Sequence, residues 1–242
     1  MSVAFLFPGP GSLRRGMLHR LPDTESAAAV LAEAECGHPG GVAQLDTAEA
    51  LAESEVARHV CLLVAGVAGA RALTEDEGVE PVAVAGHGPG SFAAAVTAGL
   101  LTLPEALRAV RIRAELLERA EEPPRDLAIR MAQHLATVRR RAHTLTYVTC
   151  TAGSCLHGDA NGVFDDLARS VALPVRWGET ARALLETGAD CWVELPPGRA
   201  LTERFQAEGT DGARVVSMEE LGIAEVADFA RGGAGEGTMA VG

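Results

Sequence analysis

The stretch VAVAGHGPGSFAAAV, residues 82–96, decides the fold of this chain. Its first residues form a short apolar run that predicts a buried strand, and the glycine-rich GHGPG after it predicts a sharp turn. The small residues from Ser91 onward predict a helix that can lie close to a sheet. A strand, a sharp turn and a helix in this order are typical of the elbow that presents a nucleophilic serine. At the position of that serine the chain has Gly88.

Predicted strands and helices alternate along the rest of the chain. Short apolar runs predict further strands at residues 3–7 and in the segments TLTYVT, DCWVEL and ARVVSM. Predicted helices lie between them, at residues 27–35, 47–73, 91–98, 104–120, 126–141, 162–171, 178–188 and, after a turn, in PPGRALTERF. This alternation predicts an α/β fold in three layers, a mostly parallel sheet with helices on both faces. We expect one domain over residues 1–230 and a disordered tail over residues 231–242.

The composition excludes several classes of function. The net charge of −12 argues against nucleic acid or an anionic membrane as a partner. All 21 residues counted as Lys or Arg are arginine, so there is no lysine for a Schiff base or a phosphate-binding loop. The five cysteines lack zinc-ligand spacing, and the first residues lack the pattern of a signal peptide. We therefore expect reduced thiols, no metal, no cofactor and a cytoplasmic protein.

Seven stretches carry a family pattern through their order and spacing: FLFPGPGS, RGMLHRLPD, VCLLVAGVA at residues 60–68, AVAGHGPGSFAAAVTAGLL, VRIRAELLERA, DDLARSVALPVRW and VELPPGRALT. Together they resemble the malonyl-CoA:acyl-carrier-protein transacylase family, over roughly residues 1–120 and 126–222. Within that family the chain looks most similar to the acyltransferase (epsilon) subunit of malonate decarboxylase. The resemblance implies the large, hydrolase-like subdomain of these transferases.

The resemblance also implies acyl transfer by a serine and a histidine, with two backbone N–H groups that stabilise the oxyanion. The serine position falls at Gly88, which has no side chain, so no acyl-enzyme can form there. The two N–H donors fall at Pro10 and Pro89, and proline has no backbone N–H. A single lost donor costs about 2.7–4 kcal/mol in well-studied hydrolases. The nucleophile and both oxyanion donors are therefore predicted to be absent.

Family members carry a small ferredoxin-like subdomain, and the catalytic histidine lies in it or just after it. Here the chain passes from LLERA through EEPPR, residues 121–125, directly into the next predicted helix. We therefore expect the small subdomain to be deleted at about residues 120–126, with the place of the histidine near Ala120. The cleft would then be open and partly apolar, and such a face often marks a surface for a second copy or another subunit.

Arg113 is the part of the family's machinery that is expected to survive. It lies 25 residues after Gly88 (113 minus 88), which matches the arginine that pairs with the malonyl carboxylate in the family. A guanidinium suits bidentate carboxylate binding, whereas an exposed arginine on a helix surface is the alternative interpretation. His87, directly before the serine position, is a second candidate for substrate contact, and a structural, partly exposed histidine is its alternative.

Other polar residues have simpler interpretations. Ser91 lies about one helical turn beyond the elbow, so we expect a helix N-terminal serine rather than a displaced nucleophile. His59 is expected near the site. GHGPG contains GxGxG, but the full dinucleotide-binding pattern is not met and Pro89 removes a donor. The remaining candidates are expected on helix surfaces or at a solvated helix end: His134, His143 and the RRR run at residues 139–141.

Two functions follow from this pattern. The first is a homologue without catalytic activity that acts as a binding or scaffold subunit. Its partner would be an acyl carrier protein, a sister acyltransferase or decarboxylase subunit, or a CoA thioester. The second is an active malonyl transferase in which a thiol attacks the thioester directly, without an acyl-enzyme, while Arg113 holds the carboxylate. A decayed gene product is a third interpretation, and the intact hydrophobic pattern argues against it.

Overall fold

The computed structural model describes residues 1–118, 123–208 and 212–232. These residues form one six-stranded sheet with the strands β1 Val3–Phe7, β2 Pro81–Gly86, β3 Thr146–Val148, β4 Cys155–Leu156, β5 Cys191–Glu194 and β6 Arg214–Ser217. The order across the sheet is β4-β3-β2-β1-β5-β6. Strand β4 is antiparallel to β3, and all other neighbouring strands are parallel.

The helices of the described residues connect these strands. They are α1 Glu25–Gly37, α2 Ala48–Glu53, α3 Glu55–Arg71, α4 Gly90–Thr97, α5 Leu103–Glu118, α6 Pro124–Leu135, α7 Ala160–Arg169, α8 Trp177–Glu186, α9 Ala200–Glu208, α10 Met218–Leu221 and α11 Ile223–Ala230. The connections between the parallel strands therefore contain helices, as the alternating pattern predicted.

Two hydrophobic cores lie on opposite faces of the sheet, because successive side chains of a strand point to opposite sides. Phe5 and Phe7 of β1 pack in the larger core with residues from α1, α3, α4, α5, α6, α7 and α11. Ala4 and Leu6 pack in the smaller core, with residues from α8 and α9. The three-layer α/β fold predicted from the sequence is confirmed.

Helix α3 is buried on almost every side, which accounts for its lack of a polar face. The segment Glu55–Asp76 is long and apolar enough to span a membrane by length and composition, but 83% of its most apolar window is buried inside the protein. It serves here as a central helix of the core. The single helix predicted over residues 47–73 is wrong, because the chain breaks at Ser54. The Ser54 hydroxyl accepts a hydrogen bond from the Ala57 N–H at 3.2 Å and so caps α3.

The helix predicted over residues 126–141 ends earlier, at Leu135. The chain leaves the helix because two arginines of the following loop have partners elsewhere. The guanidinium of Arg140 lies 3.7 Å from the ring centre of Phe164, and Arg141 forms an ion pair with Glu105 at 2.7 Å. The interpretation of residues 139–141 as a helix end is therefore wrong. Residues 119–122, where the sequence places the junction and the lost histidine, lie outside the described residues, as do residues 233–242 of the predicted tail.

Glu194, the last residue of β5, is a buried carboxylate at the carboxyl end of the sheet. Its two oxygens accept backbone hydrogen bonds from Leu201 at 3.0 Å and Thr202 at 2.6 Å, in the first turn of α9. These bonds satisfy N–H groups that a helix start leaves without a partner. Burial nevertheless dominates and raises the pKa of Glu194 from 4.5 to about 7.

This pKa predicts a pH-dependent stability. The folded protein holds the Glu194 proton more tightly than the unfolded chain, so the contribution is complete below about pH 4.5 and is lost as the pH rises through about 7. The shift corresponds to roughly 3 kcal/mol of unfolding free energy. We expect Glu194→Gln to remove this loss, measured as a smaller difference between urea unfolding free energies at pH 5 and pH 8. Equal pH differences in the two proteins would contradict the assignment.

Candidate functional site

The elbow is formed where β2 ends and α4 begins. Gly88 stands at its tip with φ = +60°, in the left-handed region that favours glycine. The His87 N–H donates to the Phe7 carbonyl at 2.8 Å and ties the turn to the end of β1. The Ser91 hydroxyl is fully buried and donates to the Gly86 carbonyl at 3.0 Å. Ser91 is therefore a structural residue of the turn, as the sequence predicted, and it does not reach the cleft.

The elbow leaves space for a side chain at Gly88 but none at Gly90. A Cβ atom added at Gly88 would meet only Val175 Cγ2, at an ordinary contact distance of 3.9 Å. A Cβ atom at Gly90 would lie 2.5 Å from the carbonyl oxygens of both Phe7 and Pro8. The tight packing needed to hold a serine at the tip is thus present, while the serine is not.

A cleft of about 420 Å³ opens over the elbow. It brings together the residues that the sequence placed at or near the site: Pro10, His59, His87, Gly88, Pro89 and Arg113. It also contains groups that the sequence did not assign to it, namely Glu55 of α3 and the segment 170–175. In the sequence, the i, i+4 spacing of Glu55 and His59 on one predicted helix indicates that these two side chains share a face.

Arg113 is buried, with 6% of its surface exposed, so the interpretation as an exposed surface arginine is wrong. One terminal nitrogen lies 3.0 Å from His59 Nε2, and the other donates to the Ser170 carbonyl at 2.9 Å. Among the described residues, no carboxylate forms an ion pair with it. Burial lowers the pKa of Arg113 to about 10, so the guanidinium stays charged at neutral pH. A buried cation without a carboxylate partner favours an anionic ligand.

His59 does not replace the lost catalytic base. Burial, and then the charge of Arg113, lower the pKa of His59 to about 3. The imidazole is therefore neutral, and its Nε2 lone pair accepts the hydrogen bond from Arg113. A base whose lone pair is already used and whose pKa is this low takes up a proton poorly. His59 instead positions Arg113.

Cys150 lies beneath the elbow, close to the Ser91 hydroxyl and the Gly88 backbone, but does not replace the nucleophile. Its side chain is completely buried. Burial, and then the charge of Asp166, raise the pKa of the Cys150 thiol to about 12. The thiolate, which is the reactive form, is thus almost unpopulated at neutral pH.

The other histidines that the sequence singled out lie in different environments. His87 is half-buried, lines the cleft, and lies against Trp177 with 5.6 Å between ring centres. Burial, and then the charge of Arg204, lower the pKa of His87. His134 lies on α6, away from the cleft. His143 is buried in the loop before β3, where Nδ1 bonds the Leu145 carbonyl at 2.8 Å, so its prediction as a helix-surface residue is wrong.

Within residues 1–118, 123–208 and 212–232, no group of three or more histidine, cysteine, aspartate or glutamate residues is arranged to hold a metal ion. The five cysteines are free. The polar side chains at the elbow include Arg113, His59 and His87, and Gly88 contributes only its backbone.

The fold and the site together define an α/β protein built like the acyl-transfer enzymes that carry a serine at such an elbow. The chain belongs to the acyl transferase domain family, whose model matches residues 4–155. A curated relative is the polyketide synthase GfsB of Streptomyces halstedii, 30% identical over 193 residues. The alignment covers 71% of this chain but only 3% of that synthase. The chain thus spans a very small part of the relative that it matches.

Solved structures share the fold. A malonyl-CoA:acyl carrier protein transacylase from Xanthomonas oryzae matches with a TM-score of 0.81 at 20% identity, over 90% of this chain and 96% of that one. A malonyl-transacylase in complex with its type II PKS acyl-carrier protein matches with a TM-score of 0.83 at 19% identity, over 96% of this chain and 100% of that one. The family resemblance is confirmed, while the closer similarity to a malonate decarboxylase subunit stays a prediction.

Proposed function

We propose that this chain is an acyl transferase homologue without serine-dependent catalysis, and that it acts as a binding or scaffold subunit. The observation that carries the proposal is the elbow itself, which has Gly88 at its tip and Pro10 and Pro89 at the two oxyanion positions. Loss of nucleophile and base lowers kcat by about 10⁶ in a serine hydrolase. The two histidines in the cleft, His59 and His87, have lowered pKa values, which argues against a replacement base.

The ligand we propose is an acyl thioester that carries a carboxylate, such as malonyl-CoA. Two of the five N–H donors of Arg113 are used by His59 and Ser170, and its Nε–H is buried without a partner. Each terminal nitrogen therefore keeps one N–H for a carboxylate. Glu55, on the same cleft, is paired with Arg58 at 2.7 Å, and its second carboxylate oxygen lies 3.5 Å from His59 Nε2.

The partner we propose is an acyl carrier protein or a sister subunit of an acyltransferase or decarboxylase. The solved complex of a related fold with its acyl-carrier protein supports the first of these. We further propose a cytoplasmic location, which the free cysteines support, and deletion of the small subdomain near residues 120–126.

A second candidate function is direct transfer of the acyl group from CoA to a thiol, without an acyl-enzyme. The buried, unneutralised Arg113 favours it, because this residue would hold the acyl carboxylate while the thiol attacks. This mechanism needs a group that takes the thiol proton. His87 is the candidate on the cleft, and its lowered pKa makes it a weak base.

Binding of malonyl-CoA and acetyl-CoA, measured by calorimetry, tests the proposed function. We expect malonyl-CoA to bind about tenfold more tightly, because its carboxylate forms charge-assisted hydrogen bonds to Arg113. Arg113→Gln is expected to remove the difference. Arg108→Gln makes the same charge change at an exposed position of the same helix and is expected to keep it.

An acyl carrier protein, which supplies the acceptor thiol, is then added to the same samples, and free CoA is measured by chromatography. The proposal predicts no CoA release above the buffer blank. Equal binding of the two thioesters to the unchanged protein would contradict the proposed ligand, and release of CoA would favour the second candidate function.

A further inference from the structure

Glu55 is a carboxylate on the wall of the cleft, and its two oxygens face different neighbours. Oε1 pairs with the guanidinium of Arg58 at 2.7 Å. Oε2 lies 3.5 Å from His59 Nε2, the same nitrogen that accepts the hydrogen bond from Arg113 at 3.0 Å. Glu55 is therefore separated by one imidazole nitrogen from the cation that the proposed function assigns to the ligand, but its arginine partner is Arg58.

Arg58 is fixed by the end of the preceding helix. One of its terminal nitrogens donates to the carbonyls of Leu51 at 2.7 Å and Ala52 at 3.0 Å, in the last turn of α2. The other terminal nitrogen donates to Glu55. Carbonyls in the last turn of a helix have no partner within that helix, so they favour a guanidinium that reaches them. Arg58 is not among the described residues that line the cleft, so it affects the site through Glu55.

The Glu55 carboxylate is attracted by both arginines. The hydrogen bond from Arg58 is the main cause that lowers the pKa of Glu55, and the charge of Arg113 acts in the same direction. The carboxylate is therefore ionised at neutral pH. With 31% of its side chain exposed, Glu55 is not enclosed by packing, and a glutamate side chain has several rotatable torsions. Rotation about these torsions allows the carboxylate to exchange one arginine for the other.

A carboxylate of this chain at Arg113 would close the site to an anionic ligand. The hydrogen bonds to His59 and to the Ser170 carbonyl leave one N–H on each terminal nitrogen of Arg113. An internal carboxylate would take these donors and neutralise the buried guanidinium, which would then no longer favour an anion. The availability of Arg113 to a ligand therefore depends on which arginine the Glu55 carboxylate contacts.

We propose that Arg58 is a positioning residue that keeps Arg113 available to an anionic ligand, because it pairs with the Glu55 carboxylate and prevents it from competing for the buried guanidinium. This inference rests on the proposed function, since it takes the ligand to be a thioester that carries a carboxylate. It adds an internal competitor, Glu55, and the residue that restrains this competitor. A thioester without a carboxylate does not need Arg113, so its binding is independent of Arg58.

A double-mutant cycle on the complete protein tests the inference, with malonyl-CoA and acetyl-CoA as the ligands in calorimetry. Arg58→Gln is expected to weaken malonyl-CoA binding about tenfold, because the released Glu55 carboxylate pairs with Arg113. It is expected to leave acetyl-CoA binding unchanged. Glu55→Gln is expected to strengthen malonyl-CoA binding about tenfold more in the Arg58→Gln protein than in the unchanged protein. This difference measures the coupling between the two residues.

Controls separate this positioning role from a structural one, since Arg58 also joins α2 to α3. A structural role would weaken the binding of both thioesters, and Glu55→Gln would not reverse the loss. Arg58→Lys keeps the charge but not the planar fork, so we expect a smaller loss, about threefold, that Glu55→Gln also reverses. This variant replaces Arg58→Gln in the cycle if thermal unfolding shows that the glutamine variant is not folded. Arg108→Gln, at an exposed position of α5, is expected to bind as the unchanged protein does.

The outcomes also separate this inference from the proposed function. Equal effects of Glu55→Gln with and without the Arg58 guanidinium would overturn the inference, and so would a loss that affects both thioesters alike. Either result would leave the preference of the unchanged protein for malonyl-CoA intact, since that preference depends on Arg113. Equal binding of the two thioesters to the unchanged protein would instead contradict the proposed function itself.

Discussion

Acylation of Gly88→Ser by malonyl-CoA is expected to accelerate about 100-fold or more when Pro89 is also replaced by alanine. The serine side chain fits, because a Cβ atom at position 88 meets only Val175 Cγ2 at 3.9 Å. Its left-handed backbone costs roughly 1–2 kcal/mol, which a folded domain tolerates. The Gly88→Ser protein still lacks an oxyanion donor at position 89. Pro89→Ala restores that N–H at the φ of −62° that the proline now has.

This comparison isolates the backbone donor from the nucleophile. The rate is measured as radiolabel bound to the protein in a single turnover, resolved on a denaturing gel. Gly88→Ser combined with Pro104→Ala is the matched control, because Pro104 lies in the first turn of α5 and does not line the cleft. Equal labelling rates for Gly88→Ser with and without Pro89→Ala would show that position 89 is not an oxyanion donor.

The second large effect concerns stability. Gly90→Ala is expected to prevent folding, with a loss above about 4 kcal/mol, because its Cβ would lie 2.5 Å from two backbone carbonyl oxygens. Those oxygens belong to Phe7 and Pro8 at the end of the central strand β1, which cannot move without disturbing the sheet. The change is measured by circular dichroism and thermal unfolding of the soluble fraction.

Gly178→Ala provides the control for this change. Gly178 lies in the first turn of α8, and a Cβ atom there would meet nothing within 4 Å. It is expected to keep or slightly raise the stability, by up to about 1 kcal/mol, because alanine restricts the unfolded chain. A Gly90→Ala protein as stable as the Gly178→Ala protein would contradict the close packing of the elbow against β1.

The sequence predicts much of the fold because its strands are short apolar runs with turn residues around them. The elbow, the helix pattern and the parallel sheet follow from such runs. Strand β4 has two residues, Cys155–Leu156, and no periodicity can be recognised over that length. The early end of α6 depends on contacts of Arg140 and Arg141 with distant residues, which local propensity does not contain.

The site divides in the same way. Gly88, Pro10 and Pro89 can be recognised from their places in motifs, and the structure places them on one cleft. The burial of Arg113 was also visible in principle, since Ala106, Ala109 and Val110 define the buried stripe of α5 to which position 113 belongs. The alternative interpretation of Arg113 as a surface residue considers only its charged side chain and not its place on the helix.

A small cavity of about 150 Å³ at the carboxyl ends of β1 and β5 was not predictable in this manner. Its wall combines Ser12, His87 and Arg204, which are separated by more than 70 residues from one another and meet only through the order of the strands. The pKa of Glu194 is likewise raised to about 7 by burial. Such features follow from tertiary packing rather than from local pattern.

Incubation with a labelled thioester tests most directly whether the protein keeps the fold while it has lost serine-dependent transfer. The unchanged protein is incubated with radiolabelled malonyl-CoA, with and without an acyl carrier protein, and the label on each protein is counted after a denaturing gel. We predict no label on this chain and no transfer to the carrier above the uncatalysed rate. Label that reaches the carrier well above that rate would contradict the account and show that the emptied elbow still catalyses transfer.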